Sequence, residues 1–251
     1  VSTRITRSAN ADAAARAKRL IGYEVYFQTG TDEHGQKMLD SAQKAGVPPR
    51  EYADMIAPRF DKLWRDLDIS HDYFIRSTDP AHKAGVDKFW RAVRDNGDIY
   101  LGKYEGWYSV TDEAFYLESQ TVDRDGKRFA FDSGHELEWR SEESYFFRLS
   151  KYTDAMTRHL EAHPDFILPG FRANEMVNSF LNPGLQDISI SRANITWGIP
   201  VPDDPKHVIY VWFDALLNYI TGVGYGGDPD LFAKWWPCDV HVVGKDILKF
   251  H

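Results

Sequence analysis

Hydrophobic positions recur along this chain in two rhythms. Between Glu51 and Asp66, the residues Tyr52, Met55, Ile56, Phe60, Leu63 and Trp64 fall three or four apart, and Leu67 follows. That is the stripe of an amphipathic helix. Pro80–Arg94 repeats the rhythm. Ala11–Leu20 (ADAAARAKRL) consists of strong helix formers, and Gly22 stops it. Gln36–Ala45 reads as a helix ended by Gly46 and by Pro48-Pro49. The other rhythm is shorter. Tyr23–Gln28 (YEVYFQ) and Tyr73–Arg76 read as strands, with Thr29–Gly35 (TGTDEHG) as a loop. Helical spacing returns at Asp154–Ala162 and Arg172–Phe180. Val208–Phe213 (VIYVWF) is almost wholly apolar, which predicts a strand covered on both faces. Val240–Val243 predicts another strand, running into Gly244-Lys245-Asp246.

Alternation of this kind predicts an α/β fold with a mainly parallel sheet. The texture changes at Ile99. From there to Trp139, short aromatic runs are separated by turn signals at Arg124-Asp125-Gly126 and Ser133-Gly134, the signature of a small hairpin-rich insert. The expected organisation is a first half over residues 1–98, an insert over 99–152, and the remainder of the connecting region with the second half over 153–251.

Ligands of open parallel sheets bind beyond the carboxyl ends of the strands. TGTDEHG and VVGKD both occupy such positions, so they predict a shared crevice. Asp32, Glu33 and His34 suit either a helix cap or a site; a carboxylate there could hold a substrate ammonium. Trp212, Phe213, Asp214, Ala215 and Tyr219 suit either core or pocket. Ala215 and Tyr219, four apart, share one helix face. Gly244-Lys245-Asp246 resembles a nucleotide loop only weakly, and neither GxGxxG nor GxxxxGK[ST] occurs. The nine histidines show no HExxH spacing, there is no GxSxG elbow, and Cys238 has no sequence-readable partner. Lys83, Lys88, Arg91 and Arg94 read as a solvated helix face.

Totals narrow this only a little. With 251 residues, 43% hydrophobic and 14% aromatic, the chain can bury a substantial core. A net charge of −8 argues against a surface that wraps nucleic acid throughout, while leaving room for a local basic groove. One cysteine excludes an internal disulfide and a multi-cysteine metal site, and it fits a reducing compartment. No apolar run approaches the roughly 20 residues of a membrane span, so no membrane partner is expected. The first residues lack the apolar core of a secretory signal.

Seven strings, in order, go further: FQTGTDEHGQK (27–37), YEGWYSVTDEAFY (104–116), EESYFFRLSKY (142–152), NEMVNSF (174–180), DISISRANITWGIPVP (187–202), YVWFDALLNYITGVGY (210–225) and DVHVVGKDILKFH (239–251). Through them the chain resembles the methionyl-tRNA synthetase family from Ala11 to His251. The resemblance implies a class I catalytic domain, a Rossmann-type parallel sheet interrupted by a connective insert. It implies activation of L-methionine by ATP with Mg²⁺ as methionyl-adenylate, then transfer to tRNA(Met), initiator tRNA included. It also implies a cytoplasmic or organellar protein, expected to be a monomer. Asp32 matches the carboxylate on the methionine ammonium. Trp212, Ala215, Tyr219 and His251 match the pocket around its side chain. Gly244 and Asp246 match contacts to adenosine, Arg192 matches a basic residue near the ATP phosphates, and His34 belongs to the first motif as a loop support.

Departures from the family pattern give three expectations. The His-Ile-Gly-His-like motif should fall near Val1-Ser2-Thr3-Arg4, where no histidine stands; alternatively Val1–Thr6 resembles the family's first strand. The lysine-loop motif KMSKS should lie beyond His251. This polypeptide alone is therefore expected to form adenylate poorly, and a non-catalytic fragment that binds methionine or tRNA is the alternative reading. Many relatives carry zinc-binding cysteines in the insert, where this chain has Ser109, Asp112, Ala130 and Ser133. A zinc-free insert is expected, held by Tyr104, Trp107, Tyr108, Phe115, Tyr116 and Trp139.

Overall fold

A computed structural model describes residues 2–109, 114–116, 118–245 and 247–251, excluding the side chains of residues 2–7, 104, 114, 115 and 119. Helix α1 (Ser2–Leu20) leads to strand β1 (Gln28–Thr31) and helices α2 (Gln36–Ala45) and α3 (Pro49–Asp66). Strand β2 (Tyr73–Arg76) and helix α4 (Pro80–Asp95) complete the first segment. β1 and β2 pair in parallel, with Gly30 opposite Ile75. Val86, Phe89, Trp90 and Val93 lie on the core face of α4, spaced as the sequence predicts.

The following strands are β3 (Ile99–Ser109), β4 (Ala114–Tyr116), β5 (Thr121–Arg124), β6 (Lys127–Ala130) and β7 (Glu136–Phe147). They make an antiparallel sheet in the order β4-β3-β7-β6-β5. Its long pair, β3 with β7, runs from Ile99 opposite Phe147 to Tyr108 opposite Glu138. Trp107 packs edge-on against Trp139, ring centroids 5.4 Å apart. The hairpins expected after Ile99 are therefore present; the side chains of Tyr104 and Phe115 lie outside the described residues.

Helices α5 (Thr153–Ala162) and α6 (Gly170–Met176) follow, the latter continuing as a π turn over Val177–Leu181. Strands β8 (Ile188–Ser189) and β9 (Ser191–Arg192) flank Ile190, and β10 (Pro200–Val201) and β11 (Asp204–Ile209) come next. β8 joins β7, while β9 joins β11 in a second antiparallel sheet. Helices α7 (Val211–Leu216), α8 (Asn218–Thr221) and α9 (Pro229–Trp235) close the order. The core gathers Val86, Trp90, Ile99, Ile190, Ile199, Val201, Ile209 and Leu217, so α4, the start of β3 and the stretch from Ile190 to Leu217 meet in it.

Four strand expectations are corrected. The strand predicted over Tyr23–Gln28 starts at Gln28 and occupies Thr29–Thr31 of the predicted loop. Glycine explains it: a Cβ on Gly30 would lie 2.0 Å from the Ile75 carbonyl oxygen, so only a bare backbone fits there. The VIYVWF run is strand only to Ile209 and turns at Tyr210 into α7. A short apolar run fits a buried strand or a buried helix equally well. Val240–Val243 forms no ladder among the described residues, and Val240 and Val242 are exposed. Residues 2–6 belong to α1 rather than to a first strand. The parallel sheet among the described residues is thus the β1–β2 pair, and the remaining strands are antiparallel.

Candidate functional site

The carboxyl end of β1 opens into a cavity of about 400 Å³. Residues 29–33 of the TGTDEHG segment line it, Asp32 among them. From α3 come Ala53, Ile56, Ala57, Phe60 and Trp64. Trp212, Ala215, Asn218 and Tyr219 come from α7 and α8, and Val242, Val243, Ile247 and His251 from the last segment. Six residues singled out from the sequence therefore meet here: Asp32, Glu33, Trp212, Ala215, Tyr219 and His251.

The aromatic wall is tied together. Tyr219 Oη and His251 Nε2 are 2.6 Å apart, and His251 Nδ1 donates to the Ile247 carbonyl at 2.8 Å. Nδ1 therefore carries the proton in the neutral ring, and Nε2 accepts from the phenol. Trp212 stacks on Phe250 with centroids 4.2 Å apart and planes 13° from parallel. His241 sits against Tyr219 at 4.5 Å and bonds Cys238 Sγ through Nε2 at 2.8 Å. Burial, then the charge of Asp239, pushes the Cys238 thiol up, so it stays protonated. Burial and His251 pull His241 down.

Polar groups on the other side are held by a buried scaffold. Glu33 is 1% exposed, and its carboxylate takes two hydrogen bonds from Arg76, at 2.7 and 2.9 Å. Thr31 and Thr78 donate to the same carboxylate, and Ser77 Oγ accepts from the Glu33 backbone N–H at 2.8 Å. Arg76 also reaches Asp54 of α3 at 2.7 Å. Asp32 thus follows directly on a β1 end fixed to β2 and α3. Its Oδ1 accepts from Asn218 Nδ2 at 3.0 Å.

His34 lies behind the cavity, not in its lining. Its Nδ1 donates to Asp214 Oδ2 at 2.6 Å, and His82 Nε2 donates to Asp214 Oδ1 at 2.6 Å. His82 Nδ1 in turn meets Thr221 Oγ1 at 2.7 Å. Asp214 is fully buried. Burial alone would raise its carboxyl, but hydrogen bonds and charge from His34 and His82 outweigh that, and it titrates below its ordinary range. His34 also packs edge-on against Trp197, whose Nε1 donates to the Glu33 carbonyl at 2.6 Å.

The remaining sequence candidates lie elsewhere. Arg192, on β9, is not among the lining residues; its guanidinium covers the Tyr210 ring at 3.9 Å and donates to Ser189 Oγ and the Ser191 carbonyl, each at 2.7 Å. The Gly244 carbonyl accepts from the Ile247 N–H at 3.1 Å and does not line the cavity. Asp246 is outside the described residues, as is Asp112. The other three positions named with it do not suit zinc: Ser109 and Ser133 offer hydroxyls and Ala130 offers no donor. Among the described residues, no three His, Cys, Asp or Glu are grouped to hold a metal.

Sequence reasoning missed His82, Thr221, Asn218 and the Cys238–His241 pair. Asn218 stood beside Tyr219 in a recognised string, yet a single amide gives no periodic or compositional signal. His82 is 132 residues from Asp214, and nothing in the local sequence links them.

Comparisons with known proteins agree with one another. A family model described as tRNA synthetases class I (M) matches residues 4–125 and 129–251. The methionine–tRNA ligase of Thermotoga maritima is 50% identical over 241 residues, covering 96% of this chain and 38% of that protein. That of Enterococcus faecalis is 52% identical over 247 residues, covering 96% and 37%. A crystal structure of Mycobacterium tuberculosis methionyl-tRNA synthetase bound by methionyl-adenylate superimposes with a TM-score of 0.88 at 48% identity, covering 98% of this chain and 48% of that one. The chain spans well under half the length of the curated relatives it matches.

Proposed function

The chain belongs to the class I tRNA synthetases of the M type, and on that premise we propose that it supplies the methionine-binding part of a methionine–tRNA ligase. The observation that carries this reading is the mixed lining of the 400 Å³ cavity, which sets the rings of Trp212, Tyr219 and His251 in the same space as the Asp32 carboxylate. An unbranched thioether fits beside Trp212, Tyr219 and His251, because sulfur and aromatic rings attract. Asp32 holds the α-ammonium of the amino acid. The small side chain of Ala215 leaves width for the chain between the rings.

The reaction proposed for the whole protein has two steps. A methionine carboxylate oxygen bonds to the α-phosphorus of MgATP as the bond to pyrophosphate breaks. A ribose hydroxyl of tRNA(Met) then attacks the methionyl carbonyl, and AMP leaves. Neither step needs a protein nucleophile, so alignment and charge stabilisation carry catalysis. Arg192 is assigned to the ATP phosphates, and Gly244 and Asp246 to adenosine, on the family motif alone. His34 supports the Asp32 loop. Residues 1–98 are read as the first half of the catalytic domain, 99–152 as the connective insert, and 153–251 as the remainder of the connective region with the second half. A cytoplasmic monomer that accepts initiator as well as elongator tRNA completes the reading. No helix among the described residues is long and apolar enough to cross a membrane.

Calorimetric titration with L-methionine tests the proposal, with L-leucine as competitor and Asp32→Ala as control. Binding of methionine, no displacement by leucine and loss of the signal in the variant are expected. A folded chain that takes up leucine as well as methionine overturns it.

A further inference from the structure

Asn218 begins α8 at the inner wall of the cavity and is 7% exposed. Its side-chain orientation is chemically fixed. The Asp32 carboxylate can only accept, so the amide nitrogen must face Asp32 Oδ1, 3.0 Å away. The amide oxygen is then directed elsewhere, and Asn218 Oδ1 is buried with no hydrogen-bond partner among the described residues. Its own backbone holds it there: the Asn218 carbonyl accepts from Gln28 Nε2 at 2.8 Å and from the Gly222 N–H at 3.0 Å. A buried acceptor without a donor is costly, and native structures seldom keep one without a purpose.

The group that would satisfy this oxygen must be a hydrogen-bond donor small enough to sit beside a carboxylate. An ammonium meets both conditions, since it carries three donors and a positive charge. We propose that Asn218 Oδ1 is a second acceptor for the substrate's α-ammonium, beside Asp32, and that the Asn218 amide also sets the Asp32 carboxylate for that contact. The proposal rests on reading the cavity as an amino-acid pocket. It adds a specificity element, because a carboxylate alone attracts any cation, whereas two acceptors at fixed positions select one that can donate in both directions.

The test compares three ligands on the wild-type chain and on Asn218→Ala and Asn218→Asp: L-methionine, L-methioninol, which keeps the amine, and 4-(methylthio)butanoate, which lacks it. Competition titrations carried to millimolar concentrations give each dissociation constant, and circular dichroism checks the fold. In Asn218→Ala, methionine and methioninol should weaken by roughly tenfold or more, the size of one charge-assisted hydrogen bond, with the amine-free ligand unchanged. Asn218→Asp keeps an acceptor but loses the donor to Asp32, so it should weaken methionine and methioninol less than Asn218→Ala does without matching the wild type. Equal weakening of all three ligands in Asn218→Ala, or no weakening, overturns the assignment while the pocket reading stands. If the wild-type chain binds none of the three, the pocket reading fails and this inference falls with it.

Discussion

His34 Nδ1 lies 2.6 Å from Asp214 Oδ2, so the loop bearing Asp32 and the helix bearing Ala215 are pinned together through one buried carboxylate. His82 holds the other oxygen of that carboxylate from α4. Three elements distant in sequence thus share one charge. Asp214→Ala leaves two buried imidazoles without their acceptor. A loss of about 3–5 kcal/mol in unfolding free energy is expected, as for a broken buried pair. Asp214→Asn keeps an acceptor oxygen and should lose less. Urea denaturation of both variants gives the order, and a reversed order would show that packing, not the charge, matters there.

Glu33→Gln tests the scaffold under Asp32. The amide keeps one acceptor but cannot receive Arg76 on both oxygens. A cost of about 2–3 kcal/mol is expected, together with weaker methionine binding, since Asp32 is the next residue. Thermal unfolding and calorimetry on the same sample measure both. Unchanged affinity would mean that the Asp32 position does not depend on its neighbour.

Asp98 sets an acid limit on stability. Its carboxylate accepts from Lys151 Nζ and Tyr152 Oη, each at 2.6 Å, and from Asn96. The Lys151 hydrogen bond, then that of Tyr152, lowers it from 3.8 to about 2. Because the folded value lies below the unfolded one, the stabilisation is complete above the unfolded value and fades as pH falls toward about 2. Melting temperature followed from pH 5 downward should therefore drop less steeply in Asp98→Asn than in wild type over the range between those two values. Parallel curves would remove Asp98 from the account.

Gly85 marks a close approach of α4 to α8. A Cβ there would stand 2.4 Å from Thr221 Cγ2 and 2.8 Å from the Tyr225 carbonyl oxygen. Gly85→Ala should cost about 1–3 kcal/mol through overpacking, despite alanine's better helix propensity. It should also disturb the His82–Thr221 contact, visible as a shift of the His82 imidazole resonances. A stabilised variant would refute the close approach.

Residues 99–152 should bind no zinc. Ser109 and Ala130, both fully buried, stand where the family resemblance implies cysteine ligands, and neither supplies a ligand suited to the ion. Elemental analysis of protein purified without chelator is expected to find less than stoichiometric zinc, and one ion per chain would refute the expectation.

The sequence was most legible where one rhythm persisted. The stripe at Tyr52, Met55, Ile56 and Phe60 located α3, and the turn at Asp125-Gly126 located the β5–β6 hairpin. It was least legible where backbone geometry overrode side-chain character. Thr29, Gly30 and Thr31 look like a loop and pair as a strand because Ile75 can approach a glycine. Tyr210 ends a run that looks uniformly extended. Asp32, Trp212, Ala215, Tyr219 and His251 were found through long motif strings and do converge on one cavity. Asn218 and His82 were not found, since what distinguishes them is a partner 186 or 132 residues away.

Residues 188–192 are stitched on one side to β7 and on the other to β11, with Ile190 between them 1% exposed. Such a seam tolerates no change in length. Adding one residue would reverse which side chains face the core and unfasten one sheet from the other. The β5–β6 tip, turning at the exposed residues Asp125 and Gly126, carries no such constraint. Evolutionary growth and laboratory insertion of peptide tags should therefore succeed at that tip and fail at the seam. The β4-β3-β7-β6-β5 sheet is free to lengthen at its far end but is welded at its root.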